Sequence, residues 1–169
     1  MRTKSNFLFK SKLIWWQLYT FMPRIVQINK KLKHKNHLMT PEQLHQAFLN
    51  TSFKVLTKPE FTIKIDTVVS EAQQLNSWAF ITAWNPSPEI LSPKENRNRN
   101  KNLESDIIKF GLKYSNGIGI SADEQWSEES FFIENISLEK ANEWAVKYGQ
   151  LAFIYGKKSE KAKLVYTIF

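Results

Sequence analysis

The residues best suited to chemistry lie between Asn85 and Asn100. This segment follows an apolar run that ends at Trp84 and includes the start of a predicted helix. They are three amides and one guanidinium: Asn85, Asn96, Arg99 and Asn100. At about 3.6 residues per turn, the last three fall on the helical stripe that continues into Leu103, Ile107 and Phe110, which should be the buried stripe. Because an unpaired buried polar group costs about 1–3 kcal/mol, these side chains either bond to each other and the loop, or line a pocket.

The helix that carries this stripe begins at a strong capping signal. Ser92, Pro93 and Glu95 match the N-cap, the first helical position and the returning carboxylate of a capping box. A helix N-terminus offers free N–H groups and partial positive charge, and an arginine adds a planar fork for a carboxylate or a phosphate. The segment therefore predicts that a small polar or anionic ligand binds between the Asn85 loop and the helix that contains Arg99.

An architectural interpretation accounts for the same residues without a ligand. Asn85 and Asn96 would satisfy backbone groups of the loop, and Arg99 would form an internal ion pair. The partners available to Arg99 in that case are the carboxylates of Glu95, Glu128 and Glu129. Under this interpretation the domain is a structural or protein-interaction module.

A second candidate set is acidic and comprises Asp123, Glu128 and Glu129. Clustered carboxylates bind Mg²⁺ or Ca²⁺, or act as acid and base, although this spacing matches no calcium loop and is typical of a solvated segment. The enzymatic alternative is a small, metal-assisted catalyst that uses Glu95, Asp123 and Glu128. Trp126 lies among these carboxylates and could form the floor of a pocket that stacks a flat ligand.

These candidates define one predicted ligand-binding set, with no catalytic residue and no metal ligand assigned. The set is Asn85, Glu95, Asn96, Arg99, Asn100, Trp126 and Glu128. No cofactor is predicted, and a divalent metal is left open. Oligomeric state is not indicated.

Composition removes several classes of chemistry. The chain has no cysteine, so disulfides and thiolate chemistry are excluded and a zinc site would need histidine or carboxylate ligands. All three histidines precede Thr51, which excludes a Ser-His-Asp mechanism from the rest of the chain.

The net charge of +8 comes from the N-terminal segment. Residues 1–40 hold nine Lys or Arg and no Asp or Glu, whereas residues 41–169 hold 15 basic and 16 acidic residues. We therefore expect no nucleic-acid partner for the domain. The apolar run at 13–22 is shorter than the ~20 residues that span a bilayer, so no transmembrane segment is predicted.

The domain division follows from the same contrast. We expect residues 1–38 to be a basic, aromatic extension, either disordered or upstream of a true start at Met39, and residues 39–169 to be a single domain. A membrane or nucleic-acid arm is the alternative for residues 1–38.

Hydrophobic patterning predicts alternating strands and helices. The order from Phe53 is β-β-α-β-α-β-β-α-β-β, with a helix over Val68–Leu75 and a turn at Ser115–Gly117. A turn or bulge is also favoured over a phosphate loop for Gly117–Gly119, because a lone G-x-G is a weak signal. The order predicts an α+β fold: a mixed or mostly antiparallel sheet with helices on one face. A ferredoxin-like core over Trp78–Tyr155 fits it.

Several of these residues also resemble a known family. The matching residues are T-A-x-N-P at 82–86, Ser92, Glu95-Asn96, Arg99-Asn100, Leu103, Gly119, Trp126, Glu128 to Phe131, and Gly149-Gln150. In this pattern the chain resembles the bacterial family called domain of unknown function 3293, from about Pro41 to Val165. It departs at Ser87-Pro88, where the family usually has a bulkier aromatic-serine pair. The resemblance implies an intracellular, cytoplasmic bacterial domain, and it implies no activity.

Overall fold

The computed structural model describes residues 40–87 and 89–167. Spatial contacts group the described residues from Ala47 onward into one compact unit, distinct from the described residues that precede it. The expectations for residues 1–38 lie outside the described residues. Within the ranges that are described, no helix is both long enough and apolar enough to cross a membrane.

The described residues form three α-helices and seven strands. The helices are α1 (Pro41–Asn50), α2 (Pro93–Lys109) and α3 (Leu138–Lys147). The strands are β1 (Ser52–Val55), β2 (Phe61–Ile63), β3 (Ser77–Ile81), β4 (Tyr114–Ile120), β5 (Ser127–Glu134), β6 (Ala152–Lys157) and β7 (Lys163–Tyr166). A single 3-10 turn, Ser70–Ala72, lies between β2 and β3.

All seven strands belong to one sheet of order β2-β1-β4-β5-β3-β6-β7, and every neighbouring pair is antiparallel. Strand β5 separates β3 from β4, although α2 connects those two strands directly along the chain. This is the split βαβ arrangement of a ferredoxin-like core. The predicted α+β class, the mostly antiparallel sheet and the ferredoxin-like order are therefore confirmed.

The two faces of the sheet carry separate hydrophobic clusters. Along β3, Ala79 and Ile81 face a cluster that includes residues of α2 and α3, whereas Trp78 and Phe80 belong to a cluster on the other face. Alternation of this kind follows from the two-residue period of a strand. Both helices thus cover one face of the central strands, as predicted.

Helix α2 begins as its sequence predicts. The Ser92 Oγ accepts a hydrogen bond from the Glu95 backbone N–H (3.3 Å), and the Glu95 carboxylate accepts one from the Ser92 N–H (3.0 Å). Leu103 and Ile107 are fully buried. Phe110, expected on the same buried stripe, is 55% exposed, because it lies at the C-cap and meets only the edge of the α3 surface.

Three local predictions were wrong. The segment Val68–Leu75 is not a helix, because it contains only the 3-10 turn Ser70–Ala72, and Val68 is half exposed in an isolated bridge to Lys161. Ser115–Gly117 is not a turn, and Gly117–Gly119 is neither a turn nor a bulge, because β4 runs through both with an unbroken register. A Cβ on Gly117 would lie 2.4 Å from the Phe80 ring, so this glycine leaves room for that ring on the same face of the sheet.

Gly156 likewise leaves room for an aromatic ring, the indole of Trp78. A Cβ built on Gly156 would lie 2.3 Å from the Trp78 indole, which is itself 2% exposed. We expect Gly156→Ala to lower the free energy of unfolding by about 2 kcal/mol, because overpacking a rigid core displaces its neighbours. Urea unfolding measures this. Gly119→Ala is the matched control, since its nearest neighbours would lie 3.7 Å away, and equal losses in the two variants would contradict the prediction.

Candidate functional site

The loop between β3 and α2 turns sharply at Asn85. Its φ of +42° lies in the left-handed region, which asparagine tolerates better than most residues. The side chain supports the turn, because Asn85 Oδ1 accepts hydrogen bonds from the Leu91 N–H (3.0 Å) and from Asn96 Nδ2 (2.8 Å). Asn85 is therefore the central residue of the loop.

Asn96 completes this arrangement from the first turns of α2. Its Oδ1 accepts a hydrogen bond from the Asn85 N–H at 2.8 Å, and its Nδ2 also donates to the Leu91 carbonyl at 3.2 Å. The side chain is 1% exposed. Its amide is thus used in holding the loop against the helix.

Asn100 connects α2 to two strands. Its Oδ1 accepts a hydrogen bond from the Ala83 N–H (2.8 Å), and its Nδ2 donates to the Glu129 carbonyl (2.8 Å). The Thr82 hydroxyl donates to the same Glu129 carbonyl at 2.6 Å. These bonds join the end of β3 to β5 beyond the last paired residues of the ladder.

Arg99 does not form the ion pair that the architectural interpretation expected. Within the described residues it makes no salt bridge. Instead its Nε donates to the Ala83 carbonyl at 2.8 Å and its Nη2 donates to the Tyr148 carbonyl at 2.6 Å. Tyr148 is the C-cap of α3, where unsatisfied carbonyls carry partial negative charge, so the guanidinium stabilises that helix end.

The end of α3 also bonds to the loop through groups that sequence analysis did not select. Gln150 Nε2 donates to the Trp84 carbonyl at 2.8 Å, and the Ser87 N–H donates to the Gly149 carbonyl at 2.9 Å. The Gly149-Gln150 pair within the family-like pattern was the one available signal for its long-range contact.

The three other predicted ligand residues are not equivalent. Glu95 is exposed and its carboxylate is engaged by Ser92, whose hydrogen bonds lower the pKa of Glu95. Trp126 is 46% exposed beside the turn between β4 and β5. Asn85, Asn96, Arg99 and Asn100 together form the corner between the loop and α2. Glu128 reaches this corner, where its Oε1 accepts a hydrogen bond from Asn85 Nδ2 at 3.3 Å. Burial of this carboxyl group raises the pKa of Glu128 to about 7.

The structure does not assemble the acidic residues into a metal centre. Asp123 accepts hydrogen bonds from the Ser121 hydroxyl (2.6 Å) and the Gln125 N–H (3.2 Å), and these lower its pKa. In the part of the chain that the structure describes, no three histidine or carboxylate side chains are grouped so that they could hold a metal ion. The metal-assisted alternative built on Glu95, Asp123 and Glu128 thus has no geometric support.

A groove of about 410 Å³ adjoins the corner, between α2 and the strands β4 and β5. Asn100 forms part of its wall, and Arg97, Lys101 and Glu104 line it from the same helix. Its floor includes Ile118 from β4 and Glu129 from β5, which lie opposite each other in the antiparallel register. The polar stripe of α2 therefore borders a concave surface at Asn100.

The charged groups of this groove are mostly without partners. Arg97 and Lys101 are exposed, and among the described residues neither forms a salt bridge or a side-chain hydrogen bond. The same holds for the Glu129 carboxylate within the described ranges. The fourth charge, Glu104, accepts a hydrogen bond from the Tyr114 hydroxyl at 2.6 Å.

Sequence analysis did not select Arg97, Lys101 or Glu129 as a group. The available signal was the four-residue spacing of the two cations, which places them on one face of a helix. The sequence alone could not show that this face of α2 borders β4. That contact depends on the strand order of the sheet, which places β4 beside β5.

Comparison with known proteins bears on this region. A family model described as "Protein of unknown function (DUF3293)" matches residues 81–153. The match confirms the resemblance over a shorter span than Pro41 to Val165, and it includes every residue of the corner. No curated protein and no solved structure matches the chain.

Proposed function

Since residues 81–153 carry the segment shared by this family of unknown function, we propose that this segment forms a binding site for a small polar, anionic ligand. The ligand would lie in the groove beside α2. The observation that carries the proposal is a pair of cations, Arg97 and Lys101, which have no partner among the described residues and line a groove of about 410 Å³. Clefts of this size commonly hold small molecules. We also propose that the protein is cytoplasmic, as the family resemblance implies.

The predicted ligand residues have a different part in this proposal from the one first assigned. Asn96, Arg99 and Asn100 position α2 against the loop and the strands, through bonds to backbone groups. A helix held in this way keeps Arg97 over the groove before any ligand arrives. Preorganisation of this kind lowers the entropy cost of binding. Of the predicted set, Asn100 lines the groove, while Glu95 and Trp126 have no part in it.

The two cations supply complementary chemistry. Arg97 offers a planar fork that matches a carboxylate or a phosphate, and Lys101 offers a compact point charge one turn further along the helix. Both are exposed, so their attraction for an anion is screened by salt. We therefore expect anion binding that weakens as ionic strength rises.

The test uses inorganic phosphate and succinate as probes in NMR titrations at low salt. Wild-type protein should show saturable shifts in amide signals of α2 and β5. The double variant Arg97→Gln with Lys101→Gln should bind at least about tenfold more weakly, because losing a charge-assisted hydrogen bond removes about 1.5–3 kcal/mol.

The matched control removes the same charge from the same helix outside the groove. Lys94→Gln combined with Lys109→Gln alters two exposed lysines of α2 and should leave probe binding within about twofold of wild type. Equal weakening in both double variants would reduce the effect to net charge and contradict a site. A wild type that binds neither probe would also contradict it, and would leave the architectural interpretation.

A further inference from the structure

The groove carries charges of both signs, and the positive and negative groups without partners come from different secondary-structure elements. Counting only partners that the structure describes, the two cations without one come from α2, and the carboxylate without one, Glu129, comes from β5 on the floor. Directly opposite Glu129 in the sheet is Ile118. Side chains of opposed residues in an antiparallel pair lie about 5 Å apart, so an apolar surface adjoins the carboxylate.

A purely anionic ligand fits only half of this arrangement. The two cations would favour its binding, whereas the negative charge of Glu129 would oppose it, because like charges a few ångströms apart repel. Glu104 is less available to a ligand, since the Tyr114 hydroxyl occupies one of its oxygens. Among the described residues, Glu129 is therefore the groove carboxylate without a partner. A ligand that binds it needs a hydrogen-bond donor or a positive charge.

Resting on the proposed function, we propose that the ligand of this groove is amphoteric, a compound of the amino-acid class. Its anionic group lies against Arg97 and Lys101, and a protonated amine or similar donor lies on the carboxylate of Glu129. The carbon chain between the two ligand groups packs on Ile118. Glu129 is then the residue that determines specificity, because it selects against acids that lack the second group.

The experiment compares probes that differ in one group only. Wild-type protein is titrated with glycine, 4-aminobutyrate and 6-aminohexanoate, which vary the separation of the two charges, and with acetate, butyrate and hexanoate as the matched acids. At least one amino compound should bind about tenfold more tightly than its matched acid, as one added charge-assisted hydrogen bond allows. In Glu129→Gln this difference should disappear, while binding of the simple acids is unchanged or tighter.

Glu134→Gln is the matched control, since Glu134 lies at the far end of the same strand and outside the groove. It should keep the preference for the amino compound, and amide spectra establish that each variant is folded. If phosphate binds through Arg97 and Lys101 but no amino compound exceeds its acid, the amphoteric ligand is excluded and the anion site stands. If the preference survives Glu129→Gln, Glu129 is not the selecting group. If no probe binds, both proposals fail.

Discussion

Replacing Asn100 with alanine is expected to lower the free energy of unfolding by about 3 kcal/mol. The change leaves the Ala83 N–H without its acceptor and removes one of the two donors to the Glu129 carbonyl, both bonds being 2.8 Å long. Asn100 is 4% exposed, so water has little access to the abandoned groups. An unsatisfied buried polar group costs about 1–3 kcal/mol, and the cavity left by the side chain adds to that loss.

The control for this prediction is Asn98→Ala. Asn98 is an exposed asparagine of the same helix, so both variants gain the same helix propensity, worth a few tenths of a kcal/mol. Urea unfolding of the two variants side by side isolates the contribution of the hydrogen bonds. Equal stability of the two would mean that the contacts of Asn100 do not hold the corner together, and the preorganisation argument for the groove would fail with them.

Replacing Glu128 with glutamine is expected to stabilise the protein by about 3 kcal/mol above pH 7 and to leave it nearly unchanged below pH 4.5. Burial raises the pKa of Glu128 from 4.5 to about 7, which means that the folded state binds this proton more tightly than the unfolded state does. The proton's contribution to stability is therefore complete below about pH 4.5 and is lost as pH rises toward 7. Glutamine keeps an acceptor for Asn85 Nδ2 and carries no charge.

The measurement is the free energy of unfolding at several pH values between 4 and 8.5, for wild type and Glu128→Gln. The curves should converge at low pH and separate as the pH rises toward 7. Glu124→Gln, an exposed glutamate in the turn between β4 and β5, should follow the wild-type curve throughout. Parallel curves for wild type and Glu128→Gln would show that this carboxyl group does not titrate abnormally in the folded protein.

Several features of the corner were predictable because they depend on neighbours in sequence. The capping box at Ser92 and Glu95 needs residues three apart, and the burial of Leu103 with Asn96 needs only the period of a helix. The order of strands and helices along the chain, and the ferredoxin-like core that it fits, were predictable for a similar reason. Alternating β and α segments of this length leave few ways to cover one face of a sheet.

Other features depend on residues far apart in the chain, and prediction failed there. The architectural interpretation expected Arg99 to pair with a protein carboxylate. Arg99 bonds instead to the carbonyl of Tyr148, which is 49 positions away and gives no signal in a side-chain pattern. The Gly117 region was expected to turn, yet it belongs to β4, which pairs with β1 on one side and β5 on the other. Its glycine leaves the space that the Phe80 ring of another strand occupies. Local propensity gives way to such tertiary contacts.

The sequence by itself determined that amides and a guanidinium would turn inward beside the Asn85 loop, because helical period and the cost of burying polar groups are local properties. Only the tertiary structure decided which groups form hydrogen bonds with these side chains. Their partners proved to be the Asn85 side chain and backbone atoms of the loop, of β5 and of the end of α3. The placement of Arg97 and Lys101 beside Glu129 was decided in the same way, since a groove exists only where strands brought together by the sheet order meet the side of a helix.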